Sequence, residues 1–268
     1  MDKILQKKFK RLKDIIFKMD SILIAYSGGA DSSLLLKVAK NILSDKILAV
    51  TAQSPTYPKD EINQAKKLAK SLKVKHLIIR TNELKNPDFS KNPINRCYFC
   101  KKELFAKLKK IAQARAIDFV ADGSNLDDDK DYRPGAKALK EFKVRSPLKE
   151  AGLTKTDVRK LSKDLKLSTW DKPAFACLAS RIPYNDKIDK KILQKIQQAE
   201  KVLEKLGFRE LRVRHHNNIA RIEVPKTEII EVIDSGDKLI RRLKNIGYKY
   251  ICLDLEGYRT GSLNETLD

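Results

Sequence analysis

The chain has 268 residues, of which 57 are lysine or arginine and 35 are acidic, giving a formal net charge of +22. That length supports a real core and two domains, and no apolar run approaches the ~18 residues a membrane span needs. With no recognisable signal peptide and only four cysteines, too few for a disulfide scaffold, a reducing cytoplasm is the expected location. The excess charge points to anionic partners. Much of it is lysine spread over helix exteriors, such as Lys66, Lys67, Lys70 and Lys73, which reads as a solvated face. No RGG tract, zinc-finger spacing or aromatic-studded basic strand marks a nucleic-acid binder. Residues 3–18 form an amphipathic pattern with Ile4, Leu5, Phe9, Leu12, Ile15 and Ile16 on one stripe. The apolar run Ile22-Leu23-Ile24-Ala25 predicts a strand, a helix-like pattern follows from Ser32 to about Leu43, and further strands are predicted at 46–52, 75–80 and 117–121. Helices fit the intervals between them, one opened by Pro58 in its first turn and one at 98–115. Strands alternating with helices indicate a doubly wound parallel sheet, an α/β fold whose ligands sit outside the carboxyl ends of the strands. The loops at 27–32, 52–57, 81–97 and 122–135 are therefore expected along one edge.

Beyond the sheet, Thr154-x-x-Asp157 is a capping signature for a helix to about Lys166. An irregular stretch from Trp170 to Pro183 precedes the expected domain boundary at 183, which leaves domains of 1–183 and 184–268. Residues 1–183 carry 40 basic and 21 acidic side chains; residues 184–268 carry 17 and 14, so nearly all the excess charge lies in the first. The second reads as a small α+β unit. It has a helix through Ile188, Ile192, Ile196, Ala199 and Leu203, strands at 211–216 and 219–224, another helix, and a last strand near 249–255.

The hexapeptide Ser27-Gly28-Gly29-Ala30-Asp31-Ser32 joins the first strand to the helix after it. Such a turn presents backbone N–H groups and a helix dipole to an anion, and Ser27, Ser32 and Ser33 add hydroxyl donors. The lysine of a G-x-x-x-x-G-K-[ST] loop is missing. Ser-Gly-Gly-x-Asp-Ser instead resembles the pyrophosphate loop of the N-type ATP pyrophosphatases, which split ATP between its α- and β-phosphates. On that resemblance Asp31 arranges the loop or Mg²⁺; its plain alternative is to cap the helix.

Cys97-Tyr98-Phe99-Cys100 is a C-x-x-C at a helix start, where the dipole favours thiolates, and a third cysteine stands in Pro173-Ala174-Phe175-Ala176-Cys177-Leu178-Ala179-Ser180-Arg181. The pair alone fits half of a zinc site or a redox couple, but neither a second C-x-x-C nor a thioredoxin-like context accompanies it. Three thiolates could instead hold a [4Fe–4S] cluster and leave one iron open. Cys252, within Tyr250-Ile251-Cys252-Leu253, reads as a buried apolar residue.

The strings Asn92-Pro93, Arg96-Cys97-Tyr98-Phe99-Cys100-Lys101, Asp122-Gly123-Ser124-Asn125, Asp131-Tyr132-Arg133-Pro134-Gly135, Lys172-Pro173-Ala174, Cys177-Leu178-Ala179-Ser180-Arg181 and Asp254-Leu255-Glu256-Gly257-Tyr258-Arg259-Thr260-Gly261-Ser262 resemble the LarE family, almost to the C-terminus. The resemblance implies an adenine nucleotide alpha hydrolase-like fold and a sulfur transferase of nickel-pincer nucleotide synthesis. Such an enzyme adenylates the carboxylates of an anionic pyridinium mononucleotide and replaces the activated oxygen with sulfur. It implies ATP and Mg²⁺ as cofactors, a homo-oligomer (a hexamer in the family), and nucleotide contacts at Ser27, Gly28, Gly29, Ser32, Ser33, Ser54 and Gly123. Cys177 matches the sulfur-bearing cysteine. With Cys97 and Cys100 also present the [4Fe–4S] route is favoured over sacrifice of the Cys177 sulfur, and both remain open. Ser180 and Arg181, close to Cys177, would hold the substrate or adenylate, with pairing to a local carboxylate as the plain alternative for Arg181; Arg212 and Arg214 would grip anions, and Glu200 and Glu223 would lie near a metal. A third acidic position there is Glu231 or Asp234. A tRNA-thiolating enzyme is the nearest rival, and a non-catalytic nucleotide sensor a more distant one.

The run from Leu211 to Val224 alternates as strand–turn–strand around Asn217-Asn218. Pairing across that turn sets Arg214 opposite Arg221 and Arg212 opposite Glu223. Facing arginines call for a neutralising group, and a bound phosphate or carboxylate is one candidate.

Overall fold

The computed structural model describes residues 2–130, 132–173, 176–259 and 261–267. Two compact units emerge, one of Met1–Glu83 with Cys97–Phe175 and one of Leu84–Arg96 with Ala176–Asp268. Among the described residues no helix is long and apolar enough to cross a membrane.

In the first unit, β1 (Ile22–Ala25), β2 (Ile47–Gln53), β3 (His76–Arg80) and β4 (Phe119–Ala121) form an all-parallel sheet in the order β3-β2-β1-β4. β1 and most of β2 read as unbroken apolar runs because both faces of the sheet are covered. Ile22 and Ile24 point into a cluster with Leu12 and Ile16 of the Lys3–Phe17 helix, Leu34 and Leu35 of Ala30–Leu43, and Val158 and Leu161 of Lys155–Asp164. Leu23, one residue out of phase, joins Leu48, Val50 and Val120 on the other face. There it packs against Phe105 and Leu108 of the Arg96–Ala114 helix. The sheet is doubly wound, as its pattern predicts. Because β1 lies between β2 and β4, the chain leaves it in opposite directions, and the switch point falls between the carboxyl ends of β1 and β4.

Local signals set the helix ends. Thr154 and Asp157 form the expected reciprocal capping box at the start of Lys155–Asp164. Pro58 is extended and stands just before Lys59–Ser71 rather than in its first turn. Ile4 is 71% exposed, because Leu5, Leu12 and Ile16 define the buried stripe of the first helix and Ile4 lies about 100° from it.

The second unit holds a mixed sheet in the order β5-β6-β7. β5 (Arg212–His216) pairs antiparallel with β6 (Ile219–Glu223), and β6 pairs parallel with β7 (Tyr250–Leu253). The Lys190–Glu204 helix packs Ala199 and Leu203 against Val213, Ala220 and Ile222. Where one helix is predicted after β6 there are two, Ile229–Asp234 and Gly236–Asn245, parted at Ser235. Cys252 is exposed, against its reading as buried. β7 is an edge strand that turns Ile251 and Leu253 toward the core, so Cys252 takes the open face beside Arg221. The 84–96 segment joins this unit through backbone bonds from Asn185 N to Asn92 O and from Ile188 N to Ser90 O. Asn92 Nδ2 also donates to Pro183 O at 2.6 Å.

Burial pushes the Asp157 carboxyl up, but the Lys8 ammonium and the Thr154 groups outweigh it and hold it below the ordinary value. Its stabilisation is therefore present above pH ~4 and fades as pH falls through the lowered folded value. Thr154→Ala should cost about 1 kcal/mol in urea unfolding at neutral pH. Asp157→Asn should flatten the acid side of the stability profile below about pH 4.

Candidate functional site

The Ser27–Ser32 turn occupies the β1 side of the switch point. Gly28 has φ +76°, and a Cβ there would lie 2.8 Å from Ala65 Cβ, so only glycine fits. No side chain caps the Ala30–Leu43 helix at Gly29; its first internal bond runs from Ser33 N to Gly29 O. The amides before Ser33 are thus free of helical carbonyls, at the positive end of the dipole. Ser27 Oγ and Ser32 Oγ stand 3.1 Å apart, and the Gly29 amide donates to Ser27 Oγ at 3.3 Å. Ser33 is fully buried within the helix. Gly123, just beyond β4, closes the other side: a Cβ on it would lie 2.8 Å from Ser32 N. Here the two loops approach backbone to backbone, an arrangement suited to an anion.

Asp31 does not cap the helix. Its carboxylate accepts from Asn125 Nδ2 at 3.1 Å and pairs with the Lys155 ammonium. A lysine thus reaches the loop from 124 residues downstream, where no local spacing could reveal it. Asp122, which follows β4, accepts from Ser124 Oγ at 2.6 Å and Ser146 Oγ at 2.7 Å and so holds the loop around Gly123. Nearby Asp128, which pairs with Arg133 at 2.9 Å, is raised above the usual carboxylate range by burial. On the other flank Lys172 Nζ donates to Glu61 at 2.7 Å, Gln64 at 2.8 Å and Gly28 O at 3.4 Å, tying the loop to the Lys59–Ser71 helix.

Ser54, after β2, is buried and donates to Glu83 Oε2 at 2.6 Å. Glu83 is itself buried and accepts from Thr81 Oγ1 at 3.2 Å and from the Cys100 thiol at 3.6 Å. No local pattern singles out Glu83, because a lone acid in a loop looks solvated. Cys97 is exposed and Cys100 half-buried, at i and i+3 of the Arg96–Ala114 helix; Cys177 is half-buried in the second unit, and none is in a disulfide. Among the described residues no three His, Cys, Asp or Glu side chains form a ready metal-holding group.

In the second unit two ion pairs fix the segment that bears Cys177. Arg181, fully buried, donates from Nε and Nη2 to Glu200 at 2.8 and 3.2 Å. Its Nη1 reaches Ala176 O at 2.7 Å, Cys177 O at 3.2 Å and Ser180 Oγ at 2.9 Å. Ser180 Oγ also donates to Cys177 O at 2.8 Å. The Cys177 carbonyl is therefore held from several sides at the head of the Leu178–Arg181 turn. Arg214 forks onto Glu223 with two bonds of 2.9 Å and donates to Ser180 O at 2.6 Å. The hairpin register is the one read from sequence, Arg212 opposite Glu223 and Arg214 opposite Arg221. Glu223 itself neutralises the facing arginines, accepting from Arg221 at 3.1 Å as well. Arg212 donates to Tyr258 Oη at 3.2 Å; burial, and then the Arg181 charge, pulls its guanidinium below the ordinary value. Glu231 and Asp234 are both exposed on the Ile229–Asp234 helix.

The family model described as NAD synthase matches residues 4–113, which include β1, the glycine turn and most of the cysteine-bearing helix. The chain is 38% identical over 257 residues, 96% of its length and 92% of the relative's, to the pyridinium-3,5-bisthiocarboxylic acid mononucleotide synthase of Lactiplantibacillus plantarum. The chain belongs to the LarE family. It is also 43% identical to an uncharacterised protein of Synechocystis, over 98% of this chain and 99% of the other. A third relative, an uncharacterised protein of Methanocaldococcus jannaschii, is 32% identical over 95% and 98%.

Gly123→Ala should weaken ATP binding by about tenfold or more, because its Cβ would collide with the Ser32 amide at the helix start, while circular dichroism stays native. Arg181→Met should cost about 3–5 kcal/mol by stranding the buried Glu200, and Arg181→Met with Glu200→Met should recover much of that loss in denaturant unfolding.

Proposed function

We propose that this chain uses ATP to adenylate the carboxylates of pyridinium-3,5-biscarboxylic acid mononucleotide and exchanges the activated oxygen for sulfur. The observation that carries this reading is the bare helix start at the β1–β4 switch point, with Lys155 and Asp31 beside it. The amides and Lys155 suit the pyrophosphate, which leaves as the substrate carboxylate attacks the α-phosphorus. Asp31 and the Asn125 amide offer the oxygen ligands that Mg²⁺ prefers. The product is a mixed acyl phosphate anhydride whose leaving group is AMP. A sulfur nucleophile then attacks the acyl carbon, and AMP departs with the oxygen.

Arg181, Arg212 and Arg214 outnumber Glu200 and Glu223, which leaves this unit's cluster electropositive and suited to an anionic mononucleotide. Under this reading Glu200 and Glu223 hold the arginines in place and are the candidate carboxylates for any metal there. Thiolates have the donor chemistry of a [4Fe–4S] cluster, and this reading assigns Cys97, Cys100 and Cys177 to hold it. When bound, such a cluster supplies an open iron able to carry sulfide. The reading includes a homo-oligomer in a reducing cytoplasm; the exposed Ile230, Ile233 and Ile240 support the first part, and a content of only four cysteines the second.

Pyrophosphate release should depend on the pyridinium dicarboxylate substrate, and tRNA should not replace it. Release without that substrate, or with tRNA alone, contradicts the reading. Anaerobic reconstitution with iron and sulfide should give a visible absorption band and repeated turnovers. Cys97→Ala should abolish both; if it leaves repeated turnovers intact, the cluster route is wrong.

A further inference from the structure

Arg96 is the first residue of the Arg96–Ala114 helix and is only 3% exposed. Its Nε and Nη1 are buried and have no hydrogen-bond partner, and among the described residues no carboxylate pairs with it. A buried guanidinium without a counter-charge is costly, and a cation at a helix N-terminus also opposes the dipole. Its guanidinium carbon lies over the Tyr184 ring, 4.6 Å from the centroid. That ring is held by a 2.9 Å bond from its hydroxyl to Asn264 Oδ1. Stacking on a ring face leaves the in-plane N–H edges of a guanidinium available, and those edges match the two oxygens of a carboxylate or phosphate. Neither the loop, the cysteines nor the Arg181–Arg214 cluster calls on this residue.

We propose that Arg96, stacked on Tyr184, is an oxyanion subsite that takes a carboxylate or phosphate group of the mononucleotide substrate. The proposal rests on the function above only for the source of the oxyanion. Low exposure makes each N–H···O bond there stronger than at the surface, and the bound anion removes the unpaired charge. The arginine thus spends folding stability in the free protein on affinity for its ligand.

Calorimetric titration of the full chain without ATP tests this, with pyridine-3,5-dicarboxylate as one probe and inorganic phosphate as the other. Arg96→Met should lower affinity for at least one probe by about tenfold, the loss of one charge-assisted bond, with ATP affinity held within about twofold. Loss confined to the dicarboxylate assigns the subsite to a ring carboxylate; loss confined to phosphate assigns it to the nucleotide phosphate. Arg96→Lys keeps the charge without the planar fork, so it should fold normally and still bind more weakly. Unchanged affinity for both probes in either folded variant overturns the proposal. So does an equal loss for ATP, which would mark a general structural role. If sulfur transfer fails while the Arg96-dependent titration holds, the proposed function falls and the subsite stands.

Discussion

A helix start left without a cap is the constraint on which the first unit is built. The amides of Ala30, Asp31 and Ser32 have no carbonyl from their own helix and no side-chain cap, while that of Gly29 is met by Ser27 Oγ. Water can satisfy such amides at a surface, and an anion suits them better because the dipole favours negative charge. The surroundings are arranged to keep the place open: Gly28 and Gly123 stand where a Cβ would collide with neighbouring backbone or Ala65. Lys172 holds the outer carbonyl, while Asn125 and Lys155 hold Asp31 at the inner end. The parallel sheet behind supplies the rigidity, since residues on alternate faces of β1 are buried in two separate clusters.

The second unit solves a different problem. Under the proposed function, a cysteine that delivers or directs sulfur must be accessible yet fixed, and loops are seldom both. Here the backbone of Cys177 is fixed while its side chain stays half-buried, because a fully buried arginine reaches back to its carbonyl and is itself anchored by Glu200. The Arg214–Glu223 fork repeats the device one residue pair away and ends on Ser180 O. Such pairs add little net stability over apolar packing, so geometry is the better reason for them.

Much of this was legible in advance, and what was not has a common cause. The strand–helix alternation, the glycine turn, the Thr154 capping box and the hairpin register are short-range patterns, and each is present. The hairpin register correctly opposed Arg214 and Arg221, but the neutralising group proved to be Glu223, which lies two positions along the same face and needs no bound anion to reach both. Lys155 meets Asp31 across 124 residues and Glu83 meets Ser54 across 29, distances at which no spacing rule operates. Cys252 was misjudged because an apolar run says that a strand is half-buried without saying which half. The break at Ser235 was missed because both helices carry apolar residues at the same spacing.

The account stands or falls on a carboxylate being activated and then converted at one protein. Mass spectrometry of the pyridinium product after a single anaerobic turnover with ATP examines that directly. The account predicts a substrate in which carboxylate oxygen has been replaced by sulfur, formed together with AMP and pyrophosphate. Recovery of the dicarboxylate with its oxygens intact, although ATP has been consumed, would contradict it.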